Sequence, residues 1–216
     1  MPAGPSRIVW LSFEIVPTGL TGATNSYHAG GGIEVYLGDH FALHAEYLWL
    51  VHPIDDTKGF VRQYPFFSTQ IALMHDGEIV LGVSSGTMME ELAWAEKGVG
   101  AFVNGKRVEV SRIDDPARAA VSTGNLKSLA LSDGWEKLGD IVARADRIRG
   151  YGDFYHYHLL ASGKIEAVIE SDVNILDIAA LSIIVTEAGG VFTDLNGEPV
   201  GLDTRSVLAA NPALHA

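Results

Sequence analysis

The segment His52-Pro53-Ile54-Asp55-Asp56-Thr57 crowds an imidazole, two carboxylates and a hydroxyl into six residues directly after the apolar run Tyr47–Val51. Pro53 cannot donate to a strand ladder, so the chain turns there and the polar groups collect at a strand end. Hard cations take oxygen ligands of this kind. The same residues also read as an Asx turn, or as a helix cap by Asp55 or Asp56. Spacing leaves both readings open. A second acidic point is Asp177, at the head of the apolar stretch Leu176–Ala188, with Glu170 and Asp172 just upstream. Taken alone, Asp177 reads as a helix N-cap. Glu187, near the end of that stretch, reads as a solvated or packing residue. A third group is Arg149-Gly-Tyr-Gly-Asp-Phe-Tyr-His-Tyr-His158, where Asp153 could cap the helix that follows. His156 and His158 stand at i and i+2 and so do not share a helical face, which argues against a two-histidine metal site. Leu37-Gly-Asp-His-Phe41 reads as a turn.

These residues need elements to hold them. Over residues 35–110 the pattern is a strand meander. Asp76-Gly77 joins Ser68–Met74 to Glu78–Val83, Asn104-Gly105 joins Ala101–Val103 to Arg107–Val110, and Glu91–Ala95 forms another strand. Asp-Gly and Asn-Gly between strand-like runs are hairpin signals. After Ser111 helices alternate with strands: helices over Trp135–Ala145, Phe154–Ala161 and Asp177–Ala188, strands at Arg147–Arg149, Ala167–Ile169, Val191–Thr193 and Ser206–Ala209. The expected organisation is an irregular segment over 1–34 with one strand at Ile8–Phe13, an antiparallel-sheet half over 35–112 and an α/β half over 113–216.

Composition bounds the chemistry. The chain has 216 residues, 47% of them apolar and 19% charged, which is a globular balance. It has no cysteine, so thiolate nucleophiles, disulfides and Cys-ligated metals are excluded. A formal net charge of −12 disfavours nucleic acid and suits a cation-dependent site. No apolar stretch approaches the length of a membrane span, and the reading is of a cytoplasmic protein without membrane partners.

The elements together resemble a family. Trp49-Leu-Val-His-Pro-Ile-Asp-Asp-Thr-Lys-Gly-Phe60 is similar to the W-x-x-D-P-[IL]-D-G-T-x-x-F signature of the inositol monophosphatase superfamily. Leu176-Asp-Ile-Ala-Ala and Glu187-Ala-Gly-Gly190 resemble its second signature, W-D-x-A-A…E-A-G-G, in the matching order and at a matching separation. Arg149–Tyr157 looks like the histidinol-phosphate phosphatase branch. The resemblance spans roughly residues 45–216. It implies a layered α/β/α/β/α sandwich, with an antiparallel sheet from the N-terminal half and a mixed α/β C-terminal half. It further implies Mg²⁺-dependent hydrolysis of a small phosphate monoester such as histidinol phosphate, and a homodimer. Carried over by position, Asp55, Asp177 and the Ile54 carbonyl match metal ligands. Thr57 matches the hydroxyl that orients the attacking water, acting with Asp55. The amides around Asp56 and Thr57 match a phosphate cradle, while Asp153 and Glu170 match substrate contacts. The Asp55 and Asp177 carboxylates should then approach within about 6 Å.

The departures from the signatures have chemical content. His52 replaces a bridging aspartate, which brings Mn²⁺ or Zn²⁺ into consideration beside Mg²⁺. Asp56 replaces a glycine, and Leu176 a tryptophan. Asp39, with His40, takes roughly the place of a Glu-Glu ligand pair. The family's long N-terminal helices and their water-activating aspartate have no recognisable counterpart in residues 1–38. A catalytically impaired homologue that keeps the fold and binds an anion, a metal or a partner is the alternative reading.

Overall fold

The computed structural model describes residues 62–215 in full and, upstream of them, only the backbone of four strands. These are β1 (Arg7–Leu11), β2 (Glu14–Pro17), β3 (Tyr27–Tyr36) and β4 (Ala42–Asp55). They continue into β5 (Ser68–His75), β6 (Glu78–Gly86), β7 (Glu91–Glu96), β8 (Gly100–Val103) and β9 (Lys106–Val108). All pair antiparallel in the order β1-β3-β4-β5-β6-β7-β8-β9, with β2 also on β3. Asp76-Gly77 and Asn104-Gly105 turn two of the hairpins with both residues at positive φ (49° and 77°, 49° and 74°), the backbone that a tight two-residue hairpin requires.

The N-terminal segment differs from its sequence reading. Three strands occupy residues for which loops and one strand were expected, and β4 runs fourteen residues where only Tyr47–Val51 read as strand. The reason is pairing. β3 matches β4 residue for residue from Tyr27–Val51 to Tyr36–Ala42, so each strand satisfies the other's backbone groups, and even the Gly30-Gly31-Gly32 run is drawn into the ladder.

The C-terminal half supplies a mixed sheet. It contains β10 (Ala120–Thr123), β11 (Arg147–Arg149), β12 (Ala167–Ser171), β13 (Val191–Thr193) and β14 (Ser206–Ala210). The order is β11-β10-β12-β14-β13, parallel across β11-β10-β12 and antiparallel beyond. Its helices are α1 (Lys127–Ala130), α2 (Gly134–Arg144), α3 (Tyr155–Ala161), α4 (Ile175–Glu187) and α5 (Pro212–His215).

Helix α4 is apolar on every side and therefore has to be buried on every side. It packs across β4–β8 on one side and against α3 and β13 on the others. A Cβ at Gly82 would lie 2.5 Å from the Ala180 carbonyl oxygen, so only glycine lets β6 seat against this helix. Leu181, Ile184 and Val185 of α4 join Phe154, Tyr157, Leu160, Val168, Phe192 and Val207 in the core between the sheets. Val121, Leu129, Leu138 and Ile169 form a second cluster beneath α1 and α2. Sheet, helices, sheet, helices is the order of layers among the described residues: the expected α/β sandwich, with its antiparallel sheet from the first half and its mixed sheet from the second.

Candidate active site

The end of β4 carries the first signature. Asp55, its last residue, stands opposite Ser68 on β5, and His52 stands opposite Gln70. The register shifts between these pairs, where Pro53 interrupts donation. Asp39, Asp56 and Thr57 lie outside the described residues, as do the side chains of His52, Ile54 and Asp55. The expected approach of Asp55 to Asp177 therefore lies outside them too.

Asp177 is positioned by α4. The N-cap of that helix is Asn174, not Asp177. Asn174 Oδ1 accepts from Leu176 N at 2.8 Å, while Asp177 Oδ2 accepts from Asn174 N at 3.0 Å and from its Nδ2 at 2.6 Å. The helix thus starts two residues earlier than read, because a reciprocal capping box places its acidic member at the third helical position. Leu176, Ala179 and Ala180 pack on Ala72 of β5, which fixes this first turn against the sheet that ends in Asp55. The carboxylate sits at the positive end of the helix.

The third group divides around α3. Asp153 takes a left-handed φ of 48° and precedes the N-cap position, which Phe154 occupies without a side-chain capping bond, so Asp153 is not the cap. Glu170, on the fully buried strand β12, accepts from Tyr157 OH at 2.8 Å (Oε2) and from Asn125 N at 3.3 Å (Oε1). His156 Nε2 lies 3.3 Å from Glu170 Oε2 without the alignment of a hydrogen bond, and its Nδ1 is 3.2 Å from Ser122 Oγ. Asp172 is a local fastener: the Ser128 backbone N–H and the Ser171 hydroxyl hold its carboxyl below the usual carboxylate range. Glu187 accepts from Gly98 N and Gly100 N and pins the β7–β8 turn, a packing role as expected.

His158 faces the other way. Its Nδ1 lies 2.7 Å from Glu91 Oε1 and its Nε2 lies 2.8 Å from Ser84 Oγ, both in the antiparallel sheet. The divergence of His156 and His158 is the one their i, i+2 spacing predicted. Their partners, together with Tyr157 and Gln70, went unread in the sequence. The available signal was Ser68, Gln70 and Ser84 standing at buried positions of β5 and β6, where alternation calls for apolar residues.

Among the described residues no three His, Asp or Glu side chains gather to hold a metal, so a cation would draw on β4 as well as on Asp177. By residue type, Asp55, Asp177 and the Ile54 carbonyl would offer a cation hard oxygens and His52 a nitrogen, and Gln70, which stands opposite His52 in the ladder, has a buried Oε1 without a hydrogen-bond partner.

A two-sheet sandwich with acidic residues at a strand end and at the first turn of its buried helix defines the class of protein. The profile of the Inositol monophosphatase family matches residues 26–216, and the chain belongs to that family. It is 38% identical over 172 residues to a histidinol-phosphatase of Mycobacterium tuberculosis, covering 77% of this chain and 66% of that protein. It is 35% identical over 170 residues to inositol monophosphatase 1 of Homo sapiens, covering 76% and 61%. The solved extragenic suppressor protein SuhB of Bartonella henselae superposes with a TM-score of 0.73 at 30% identity, covering 78% of this chain and 67% of that one. The chain spans just under two thirds of the curated relatives it matches, 66% of each of the two histidinol-phosphatases from Mycobacterium tuberculosis and Streptomyces coelicolor.

Proposed function

We propose that the chain is a metal-dependent hydrolase of small phosphate monoesters, with histidinol phosphate or a similar cationic ester as substrate. One observation carries the reading. The capping box immobilises Asp177 at the head of a buried helix, and that helix packs across the strand that ends in Asp55. In this reading Asp55, Asp177, the Ile54 carbonyl and His52 hold the cation, with Asp39 as a further ligand. Mg²⁺ suits the oxygens; Mn²⁺ or Zn²⁺ suits the set that includes His52. When bound, the cation supplies Lewis-acid polarisation of the phosphate and a more acidic water. Thr57 orients that water, and the amides around Asp56 and Thr57 receive the phosphate oxygens. Asp153 and Glu170 meet the substrate's cationic end, where charge-assisted bonds favour an amino alcohol over a neutral polyol. A cytoplasmic homodimer belongs to the same reading.

The test is phosphate release from histidinol phosphate, inositol monophosphate and an aryl phosphate, each with Mg²⁺, Mn²⁺ and Zn²⁺, against Asp177→Asn as baseline. Turnover at least about 100-fold above that baseline is expected with one cation. The paired change His52→Asp and Asp56→Gly should raise the Mg²⁺-dependent rate, because it restores a hard ligand and removes a carboxylate from the phosphate cradle. Baseline rates with all nine combinations would replace this reading with that of an impaired homologue.

A further inference from the structure

Helix α2 meets the outer face of the mixed sheet along part of its length only. Leu138 is buried with Val121 and Ile169 of that sheet, whereas Ile141, one turn further on and at the spacing of a core residue, is 39% exposed. A cavity of about 390 Å³ opens beside it. The floor runs across Val121 of β10, Ile169 of β12 and Leu208 of β14, two strand spacings or about 10 Å. Ile141 lines it from α2 and Leu214 from α5.

Three ionisable residues among the described ones also line the cavity: Asp114, Arg144 and His215. His215 is already committed. The Thr193 hydroxyl donates to the Asp194 carbonyl at 2.8 Å, so its oxygen accepts from His215 Nε2 at 3.0 Å. Arg144 and Asp114 are not committed. Arg144 is the last residue of α2, which packs on the Pro116–Arg118 turn, and Asp114 lies two residues before that turn. Both therefore border one end of the cavity, yet neither side chain forms an ion pair or a hydrogen bond with a described residue. An apolar floor thus ends at an unpaired guanidinium and an unpaired carboxylate. Small-molecule sites have this make-up, a mostly apolar lining of about 300–1,000 Å³ with a few polar groups that fix orientation.

The two charges select the ligand. An apolar acid would satisfy Arg144 but bring its carboxylate up to Asp114, and an apolar amine would do the reverse. A zwitterion satisfies both, because its carboxylate matches the planar guanidinium fork and its ammonium group matches the Asp114 carboxylate. We propose that this cavity binds a free amino acid with a large apolar side chain, its carboxylate on Arg144, its ammonium group on Asp114 and its side chain over Val121, Ile169 and Leu208. The site is independent of the phosphatase reading. Alternation along β12 turns Ala167 and Ile169 to the cavity, and Val168 and Glu170 to the opposite face, toward α3.

The experiment is a methyl-resolved NMR titration of the full chain with phenylalanine and with leucine. Saturable shifts are expected at the methyl groups of Val121, Ile141, Ile169 and Leu208. 3-Phenylpropanoate, phenethylamine and alanine lack the ammonium group, the carboxylate and the apolar body in turn, and each should bind at least about tenfold more weakly than phenylalanine. Arg144→Gln and Asp114→Asn, both at exposed positions, should each weaken phenylalanine binding by about tenfold or more. Absence of the shifts with both amino acids at about 10 mM, where even a millimolar site is mostly filled, would overturn the proposal. So would equal binding of 3-phenylpropanoate or phenethylamine, an unchanged affinity in folded Arg144→Gln or Asp114→Asn, or shifts confined to residues around Glu170. The three analogues need no variant, so the assignment is tested even where a substitution unfolds the chain.

Discussion

Helix α3 sends one buried histidine into each sheet, and the two meet different surroundings. On the side of the antiparallel sheet, both nitrogens of His158 are matched, one to Glu91 and one to Ser84. On the side of the mixed sheet, His156 reaches Ser122, but its other nitrogen stands beside Glu170 without alignment. A buried imidazole bonded at both nitrogens joins the elements it bridges, here α3 to β6 and β7. Glu170 itself accepts from Tyr157 OH and Asn125 N, so the unbonded group on this side is the imidazole nitrogen and not the carboxylate. The antiparallel sheet is thus tied to α3 through both nitrogens of His158, while the mixed sheet is tied to it through Tyr157 and Glu170, with one nitrogen of His156 left unbonded.

Removing each histidine is the strongest test of that contrast. His158→Ala should cost about 3–5 kcal/mol in urea unfolding, because Glu91 and Ser84 both lose a buried partner and a cavity remains. His156→Ala should cost clearly less, about 2 kcal/mol, since only the Ser122 contact is lost along with the packing. Equal losses would erase the distinction between the two sides. The seating of α4 on the antiparallel sheet comes next. Gly82→Ala should destabilise by about 1–3 kcal/mol, as the new methyl meets the Ala180 carbonyl and Ile183.

On the side of the mixed sheet the effect should fall on selectivity. Glu170→Gln keeps shape and an acceptor for Tyr157, so stability should change by less than about 1 kcal/mol. In the proposed role it should lower histidinol phosphate turnover about tenfold more than aryl phosphate turnover. Asp153→Asn should act in the same direction, and equal losses on both substrates would argue against recognition by either residue.

Acidification should give the smallest effect. Burial lowers the pKa of His158 below its ordinary 6.5, and the His158 hydrogen bond lowers that of Glu91 below 4.5. Both groups bind protons more tightly in the unfolded chain. The His158 contribution is complete above about pH 6.5 and is lost as the pH falls toward its folded value; that of Glu91 is lost below about pH 4.5. The urea midpoint should therefore fall between about pH 7.5 and 5.5, and His158→Gln should flatten that fall. A midpoint that rises over this interval would contradict the matched, neutral His158.

Much of the fold was legible because its signals are local. Asp76-Gly77 and Asn104-Gly105 announce their hairpins through two residues with positive φ. The apolar run after Asn174 announces α4 to within two residues. Non-local pairing was not legible. Nothing within Gly30-Gly31-Gly32 predicts a strand, and pairing with β4, joined at Gly30 by β2, makes it one. In α2, Trp135, Leu138, Ile141 and Val142 share helical spacing, yet of these Leu138 alone is buried, since the neighbouring layer covers one stripe and not the next. At the site, the two signatures marked Asp55 and Asp177, but the capping box that moves Asp177 from the cap to the first turn depends on Asn174 folding back over it.

The sequence by itself determined the family, the turn positions and the divergence of the two histidines, because motif residues, positive-φ turns and helical spacing are properties of short stretches. The tertiary structure decided which partners those histidines meet. Glu91 lies 67 residues from His158, and Ser84 lies 74. Burial and the direction of each proton depend on what the fold brings in from such distances. For the same reason, the buried amide oxygen Gln70 Oε1, unpartnered among the described residues, became visible only once β5, β6 and α3 were in place.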